Sequence, residues 1–434
     1  MPGFEEERIV IDPETNYNLV IGLIAIPNEM QFIPFDQDAS VFASVDERPL
    51  VQVLVPKKVR EESNKADSLD LRPAIQIGLF PPFSTNKFGS GAATNNLSFN
   101  ALVGYNEGLE GLEIGGFLNI LREDMVGGQF SGFGNIVGGD AYGIQSAGTF
   151  NTLQGELLGI QGAGLFNYTS KGIKGIQAAG FLNLNRNEMR GIQAAGFSNV
   201  SASSDSSFLS YGIQAAGFSN VLRSRFYGIQ LAGFNNLLAK PSIGIQAAGF
   251  LNMASDNLSG LQIAGFQNTS IGNFAGIQGS GFVNITGGVM NGIQIAGAIN
   301  ISENVNGIQI AGLMNRAKNV NGVQIGFINR AHQVKGVSIG FLNLVKYGYK
   351  RFEASYEEND YWSFNYKTGT RWFYNIFHYG TRTETYSGYG YGLGLVPMQS
   401  GRWAMNVDVL ARTYFVYGSS LVDDIHNRAK LELS

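Results

Sequence analysis

The sequence predicts an all-β fold, a parallel β-solenoid of about fifteen 16-residue repeats followed by an antiparallel β-meander. Three observations carry the expectation. The stretch Gly175-Ile176-Gln177-Ala178-Ala179-Gly180-Phe181-Leu182-Asn183 returns as near-copies, for example Gly191–Asn199, Gly212–Asn220 and Gly244–Asn252, at a dominant spacing of 16 residues. A fixed short period of this kind marks a repeat architecture. The most constant residues share one parity, which belongs to extended backbone and not to helix. Within the repeated segments Glu113 is the only charged residue, while Arg, Lys, Asp and Glu collect in the connectors. Neutral strands alternating with wet connectors are the expected division.

Residues 1–70 are not repetitive and read as a β-containing segment with a charged linker. Asn18–Ile26 (NLVIGLIAI) and Leu50–Val55 (LVQVLV) have the apolar, β-branched character of strands. Lys57–Asp70 is a polar, charged run that reads as a linker with room for a helical turn. Residues 71–110 hold lead-in strands at Ala74–Phe80 and Leu97–Asn106, separated by a loop rich in Pro, Gly and Asn.

The array spans 111–343. Its units open at Gly111, Gly127, Gly143, Gly159, Gly175, Gly191, Gly212, Gly228, Gly244, Gly260, Gly276, Gly292, Gly307, Gly322 and Gly336, fifteen in all. With the opening glycine as position 0, Gln occupies position 2, a small residue position 4, Gly position 5, Phe position 6 and Asn position 8. Gly175, Gln177, Gly180, Phe181 and Asn183 are one such set, and Gly244, Gln246, Gly249, Phe250 and Asn252 another. Alternation along one continuous strand places Gln, Phe and Asn on the same face, with Phe250 inside. The residue two before the glycine is usually apolar as well. The two glycines are expected where a Cβ cannot fit. Ser201–Ser210 reads as a surface loop, and the units from Gly322 and Gly336 have lost one residue before their second glycine.

Residues 344–434 abandon the repeat. Tyr356–Tyr366, Thr370–His378, Tyr386–Val396 and Trp403–Tyr417 alternate and are rich in aromatics, as in a meander of long strands. The last residues read as the middle of a strand, with more strands expected beyond.

Two architectures reuse a strand-sized unit in this way. In a solenoid every unit has the same direction and the same neighbours, so one motif serves throughout, and amides stack on amides. The alternative is an outer-membrane-type antiparallel β-barrel, in which alternate strands run oppositely and one motif must suit both ends.

Composition narrows function more by exclusion than by assignment. A net charge of −4 gives no electrostatic case for nucleic acid. The absence of cysteine excludes disulfides and thiolate chemistry. No apolar run is long enough for a transmembrane helix. The first residues, MPGFEEERIV, lack the pattern of a signal peptide, so export implies that the signal is missing from this sequence.

The three histidines, His332, His378 and His426, are far apart, and Asp423-Asp424-Ile425-His426 reads as a polar turn before it reads as a metal site. Gly388–Gly394, with alternating glycines, lacks the Lys-Ser/Thr of a phosphate loop. The N-x-Ser/Thr sequons at Asn167, Asn199, Asn268, Asn284 and Asn300 read as by-products of a turn residue at position 8. Trp362, Trp372 and Trp403 fit an interfacial aromatic belt or a sheet face. No catalytic, cofactor-binding or metal residue is assigned, no small-molecule substrate is identified, and the chain is not expected to be an enzyme.

The GIQ-x-Ala-Gly-Phe-x-Asn units, led in by Ile75-Gln76-Ile77-Gly78-Leu79-Phe80 and Leu109–Asn119, resemble the bacterial surface-repeat proteins first named from Leptospira and abundant in Bacteroidetes. The resemblance covers roughly residues 74–434. It implies an envelope or outer-membrane location, with the outer membrane or a cell-surface ligand as partner, and it brings no activity and no functional residues. The expected role is therefore non-catalytic, an extended β surface for adhesion, structural spacing or ligand capture. An outer-membrane barrel or channel is the alternative.

Overall fold

The computed structural model describes residues 44–203, 207–357, 361–382, 386–400, 403–416 and 426–433. The strand expected at Asn18–Ile26 lies outside them.

The array is a parallel β-solenoid of about sixteen turns. Each coil contributes a long strand, such as Gly172–Ala179 or Glu188–Ala195, and a short one, such as Leu182–Asn185 or Ser198–Ser201. Long strands pair with long and short with short, in parallel, and through the regular 16-residue units in register: Gly175 opposes Gly191, Gln177 opposes Gln193, and Asn183 opposes Asn199. The antiparallel barrel is not what these repeats form. At the usual strand spacing of about 4.8 Å, fifteen coils extend roughly 70 Å.

Sixteen turns exceed the fifteen glycine-opened units because the lead-in forms a coil of its own. The segment expected as one strand over Leu97–Asn106 is two strands, Thr94–Asn100 and Val103–Asn106, with a corner at Ala101-Leu102. The insertion after Ser201 leaves the stack undisturbed, since Gly191 still opposes Gly212 and Asn199 still opposes Asn220. Loss of a residue in the last units is absorbed at a corner, and Asn315 still opposes Asn329.

Both glycine positions are fixed by close approach of neighbouring coils. Gly244 has φ +152°, and a Cβ there would lie 1.8 Å from the Gly228 carbonyl oxygen. At Gly249 the corresponding contact is 2.2 Å from the Gly233 oxygen. The second glycine and the phenylalanine after it form a corner between the two strands.

That corner corrects the single-face reading. Alternation holds inside each strand but restarts after the bend, so Gln at 2 and Asn at 8 point inward while Phe at 6 points outward. Phe250 is 41 % exposed and Phe181 51 %. The interior is instead completed by position 10, which sequence parity did not single out and which holds Leu222, Leu238 and Ala254, all buried. With the apolar residues two before each glycine, such as Leu157, Ile173 and Met189, these side chains form one continuous apolar column.

The N-terminal end is helical, which corrects the reading of Leu50–Val55 as a strand. Pro49–Leu54 and Lys57–Ala66 are α-helices. Pro49 stands at the first helical position, where its missing N–H costs nothing. Val51, Val55 and Val59 recur every fourth residue and are fully buried against Tyr105, Leu118, Ile120 and Ile136. The local alternation of LVQVLV hid this longer period. Arg122 ties the helices down, pairing with Asp46 at 3.3 Å and Asp67 at 2.5 Å.

Beyond the array lies a six-stranded antiparallel sheet in sequential order: Tyr349–Glu357, Tyr361–Thr370, Phe373–Arg382, Tyr386–Ser400, Trp403–Val416 and His426–Leu433. The expected meander is present with shifted limits. Tyr356–Tyr366 straddles two strands, because residues opposite each other on them, Tyr356 and Trp362, flank a hairpin connection. Thr370 and Arg371-Trp372 lead into the next turn, so the third strand begins at Phe373.

Candidate functional site

The repeat's amides form two buried ladders. Gln177 Nε2 donates to Gln161 Oε1 at 2.8 Å, and Gln193 Nε2 donates to Gln177 Oε1 at 2.8 Å. Gln246 continues the same line, donating to Gln230 at 3.0 Å and accepting from Gln262 at 2.7 Å. The asparagines run in the opposite sense. Asn183 Nδ2 donates to Asn199 Oδ1 at 2.9 Å and to the Ala194 carbonyl at 2.7 Å, and Asn252 does the same to Asn268 at 2.9 Å and Ile263 at 2.6 Å. Every such residue is fully buried. A buried amide is tolerated because its partners are supplied, each bond being worth about 1 kcal/mol net. These residues are structural, and none of them opens to solvent. The sequon asparagines belong to this ladder: Asn167, Asn199, Asn268, Asn284 and Asn300 are buried strand residues, not turn residues.

One ladder ends on a substituted motif position and the other on a residue beyond the array. The glutamine line ends at Glu113, whose Oε2 accepts from Gln129 at 2.8 Å. Its Oε1 accepts from Ser98, Asn100 and Asn106 at 3.1, 3.0 and 2.8 Å. Burial pushes the Glu113 carboxyl up to about 7 against the pull of those four donors. The asparagine line passes from Asn343 to Asn375 Oδ1 of the terminal sheet at 2.7 Å, and Asn375 Nδ2 donates to Tyr391 Oη at 2.6 Å. Sequence reading isolated Glu113 as the lone charge but gave it no role. Asn375 carried no signal, because it follows the last repeat.

The outward face is the part of the array that other molecules can reach. Phe181, Phe197, Phe218, Phe234, Phe250 and Phe266 stack in one row, with ring centroids 4.8–5.0 Å apart and planes within 7° of parallel. A parallel row of position-1 isoleucines, including Ile160, Ile176 and Ile245, is similarly exposed. Between them runs a shallow trough of about 940 Å³ from Gly162 to Ile263, floored by alanine and glycine. No titratable side chain lines it. It offers dispersion and apolar contact, and no group able to move a proton or attack a substrate.

The remaining candidates do not assemble with it. His378 is buried inside the terminal sheet, its Nε2 3.0 Å from Tyr361 Oη and its Nδ1 2.7 Å from Asn365 Oδ1. Among the described residues no group of three or more His, Asp or Glu is placed to hold a metal ion. The polar turn at Asp423–Ile425 lies outside the described residues. Gly388–Gly394 is strand, not phosphate loop. No helix among the described residues is long and apolar enough to cross a membrane, which leaves strands untouched as a means of doing so.

Compared with known proteins, the chain matches no family model, no curated protein and no solved structure.

Proposed function

We propose that the chain is a non-catalytic surface repeat protein of the bacterial cell envelope, whose solenoid holds out the Phe and Ile rows as a contact surface for adhesion or ligand capture. The observation that carries this is the continuity of the exposed apolar face. Contiguous apolar surface well beyond a few hundred Å² is characteristic of interaction surfaces. A spacer needs length alone, and a stack whose only task was spacing would be expected to keep charge on this face. The envelope location rests on the likeness of the GIQ-x-Ala-Gly-Phe-x-Asn units to bacterial surface-repeat proteins.

Cell fractionation with protease shaving tests the reading. The expected result is recovery in the envelope fraction and cleavage on intact cells at the charged connectors. Recovery in the cytosol, untouched by protease until lysis, overturns it. Replacing Phe197, Phe218 and Phe234 by Ser is expected to abolish binding to the adhesion target while the β circular dichroism is retained.

A further inference from the structure

The terminal sheet has its polarity inverted. Lys367, on the second strand, lies 2.6 Å from Asp408 on the fifth and 2.9 Å from Glu353 on the first. In a flat sheet the second and fifth strands stand about 14 Å apart, so this sheet is strongly curled with these charges on its concave side. Asp408 also accepts from Tyr374 Oη at 2.6 Å, and Ser363, Asn365, His378 and Arg412 are buried on that side with it. Glycines of the fourth strand make the room: a Cβ on Gly394 would lie 2.2 Å from Asp408 Oδ1.

The convex side is largely apolar, with the charged Lys350 opposite Thr368 near the last coil. Residues directly opposite on neighbouring strands share a face, which places Tyr356 with Trp362, Phe352 with Tyr366, Tyr379 with Tyr389 and Leu393 with Val409. Phe352, Tyr356, Trp362, Tyr389 and Val409 are exposed, at 46–67 %. The charged residues Lys367, Asp408 and Arg412 all take the other side. The last coil covers part of the convex side, where Tyr391 stacks on Phe341 at 4.8 Å and Thr368 donates to the Asn343 carbonyl at 3.0 Å. The aromatic rows beyond it stay open.

A sheet with one wet face puts polar residues out and apolar residues in. The reverse arrangement suits strands in contact with lipid, and Tyr and Trp with polar tips are the side chains favoured at the lipid–water boundary. We propose that the convex face of this sheet seats against a lipid bilayer. Among the described residues the first and sixth strands are each paired on one side only. This site is separate from the Phe and Ile rows and does not depend on their binding anything.

The three tryptophans all fall between 362 and 403, within the sheet segment, so their emission reports on it directly. The test mixes the full chain with phosphatidylcholine vesicles and follows flotation and tryptophan emission. The expected result is co-flotation that persists in high salt, with emission shifted to the blue. Tyr389→Ser with Val409→Ser is expected to weaken partitioning by about tenfold or more, through loss of buried apolar area. Phe234→Ser, in the array, should leave it unchanged, with circular dichroism confirming the fold of each variant. Absence of flotation with unshifted emission overturns the proposal. So does flotation lost only in the array variant, or a concentration-dependent dimer that the sheet variant abolishes.

Discussion

Gln129 Nε2 donates to Glu113 Oε2 over 2.8 Å, and with that bond a ladder of neutral amides ends on a carboxylate. The chemistry of the residue matches the polarity of the line. Each glutamine donates toward the N-terminal end, so the terminal residue must accept, and the carboxyl group of Glu113 presents two acceptor oxygens to four donors. The asparagine ladder donates the other way and finishes on Asn375. The two rows of amide dipoles thus oppose each other through the interior.

Glu113 should make stability depend on pH. Its folded-state pKa is raised to about 7, chiefly by burial. Its contribution is therefore fully present below the ordinary carboxylate range and is lost as pH rises through about 7, on the order of 3 kcal/mol across that window. Glu113→Gln stays neutral across this range and so removes the titration. Denaturant midpoints from pH 4.5 to 8 should fall for the native chain and stay flatter for the variant. Parallel curves would remove Glu113 from the account.

Two glycines with opposite surroundings test the stacking distance. Gly244→Ala places a Cβ 1.8 Å from a backbone oxygen at a φ of +152°, and should cost about 3 kcal/mol or more. Gly162→Ala meets nothing within 4 Å and should change stability by about 0.5 kcal/mol at most. Thermal melts of the pair decide it, and equal losses would mean that coils do not approach as described.

Inside and outside can be ranked within one coil. Phe250→Ala removes a half-exposed ring stacked at 5.0 and 4.8 Å on its neighbours and should cost about 1–2 kcal/mol. Asn252→Ala breaks the buried ladder, leaving without its partner the Asn236 N–H that donated at 2.9 Å and the Asn268 Oδ1 and Ile263 carbonyl that accepted from Asn252, for about 3 kcal/mol. Chemical denaturation of both variants gives the order, and a larger loss for Phe250 would return that ring to the core.

Sequence was informative wherever a residue's environment repeats. Period, direction of stacking, both glycine positions and the shared inward Gln and Asn follow from one motif, because every coil has the same neighbours. Phe250 was misplaced because alternation carries no information across a corner, and the Gly249-Phe250 bend restarts it. The valines at 51, 55 and 59 were misread because six residues of local alternation outweighed a spacing of four that becomes visible only across two short helices, Pro49–Leu54 and Lys57–Ala66. The ladder ends at Glu113 and Asn375, and the curl that brings Lys367 to Asp408, depend on contacts between distant segments for which no local pattern exists.

Whole coils should be removable. Gly228 opposes Gly244, and Gly244 opposes Gly260, so deleting 244–259 brings Gln230 against Gln262 and Asn236 against Asn268. A shorter soluble array with native-like β circular dichroism is expected, since each coil contacts mainly its neighbours. An insoluble product would show that coils are not interchangeable.

Engineered cysteines test parallel in-register stacking most directly, against a background free of native thiols. Leu182 opposes Ser198 on the short strands, and Ala178 opposes Ala194 on the long ones. Both pairs should have Cα atoms about 4.8 Å apart, within disulfide range. An antiparallel arrangement centred near Ala178 would keep the second pair close and separate the first by roughly 25 Å. The measurement is the extent of intramolecular disulfide formation in Leu182→Cys/Ser198→Cys and in Ala178→Cys/Ala194→Cys under mild oxidation. Cross-linking of both pairs is the predicted result, and cross-linking of the 178/194 pair alone would contradict the solenoid.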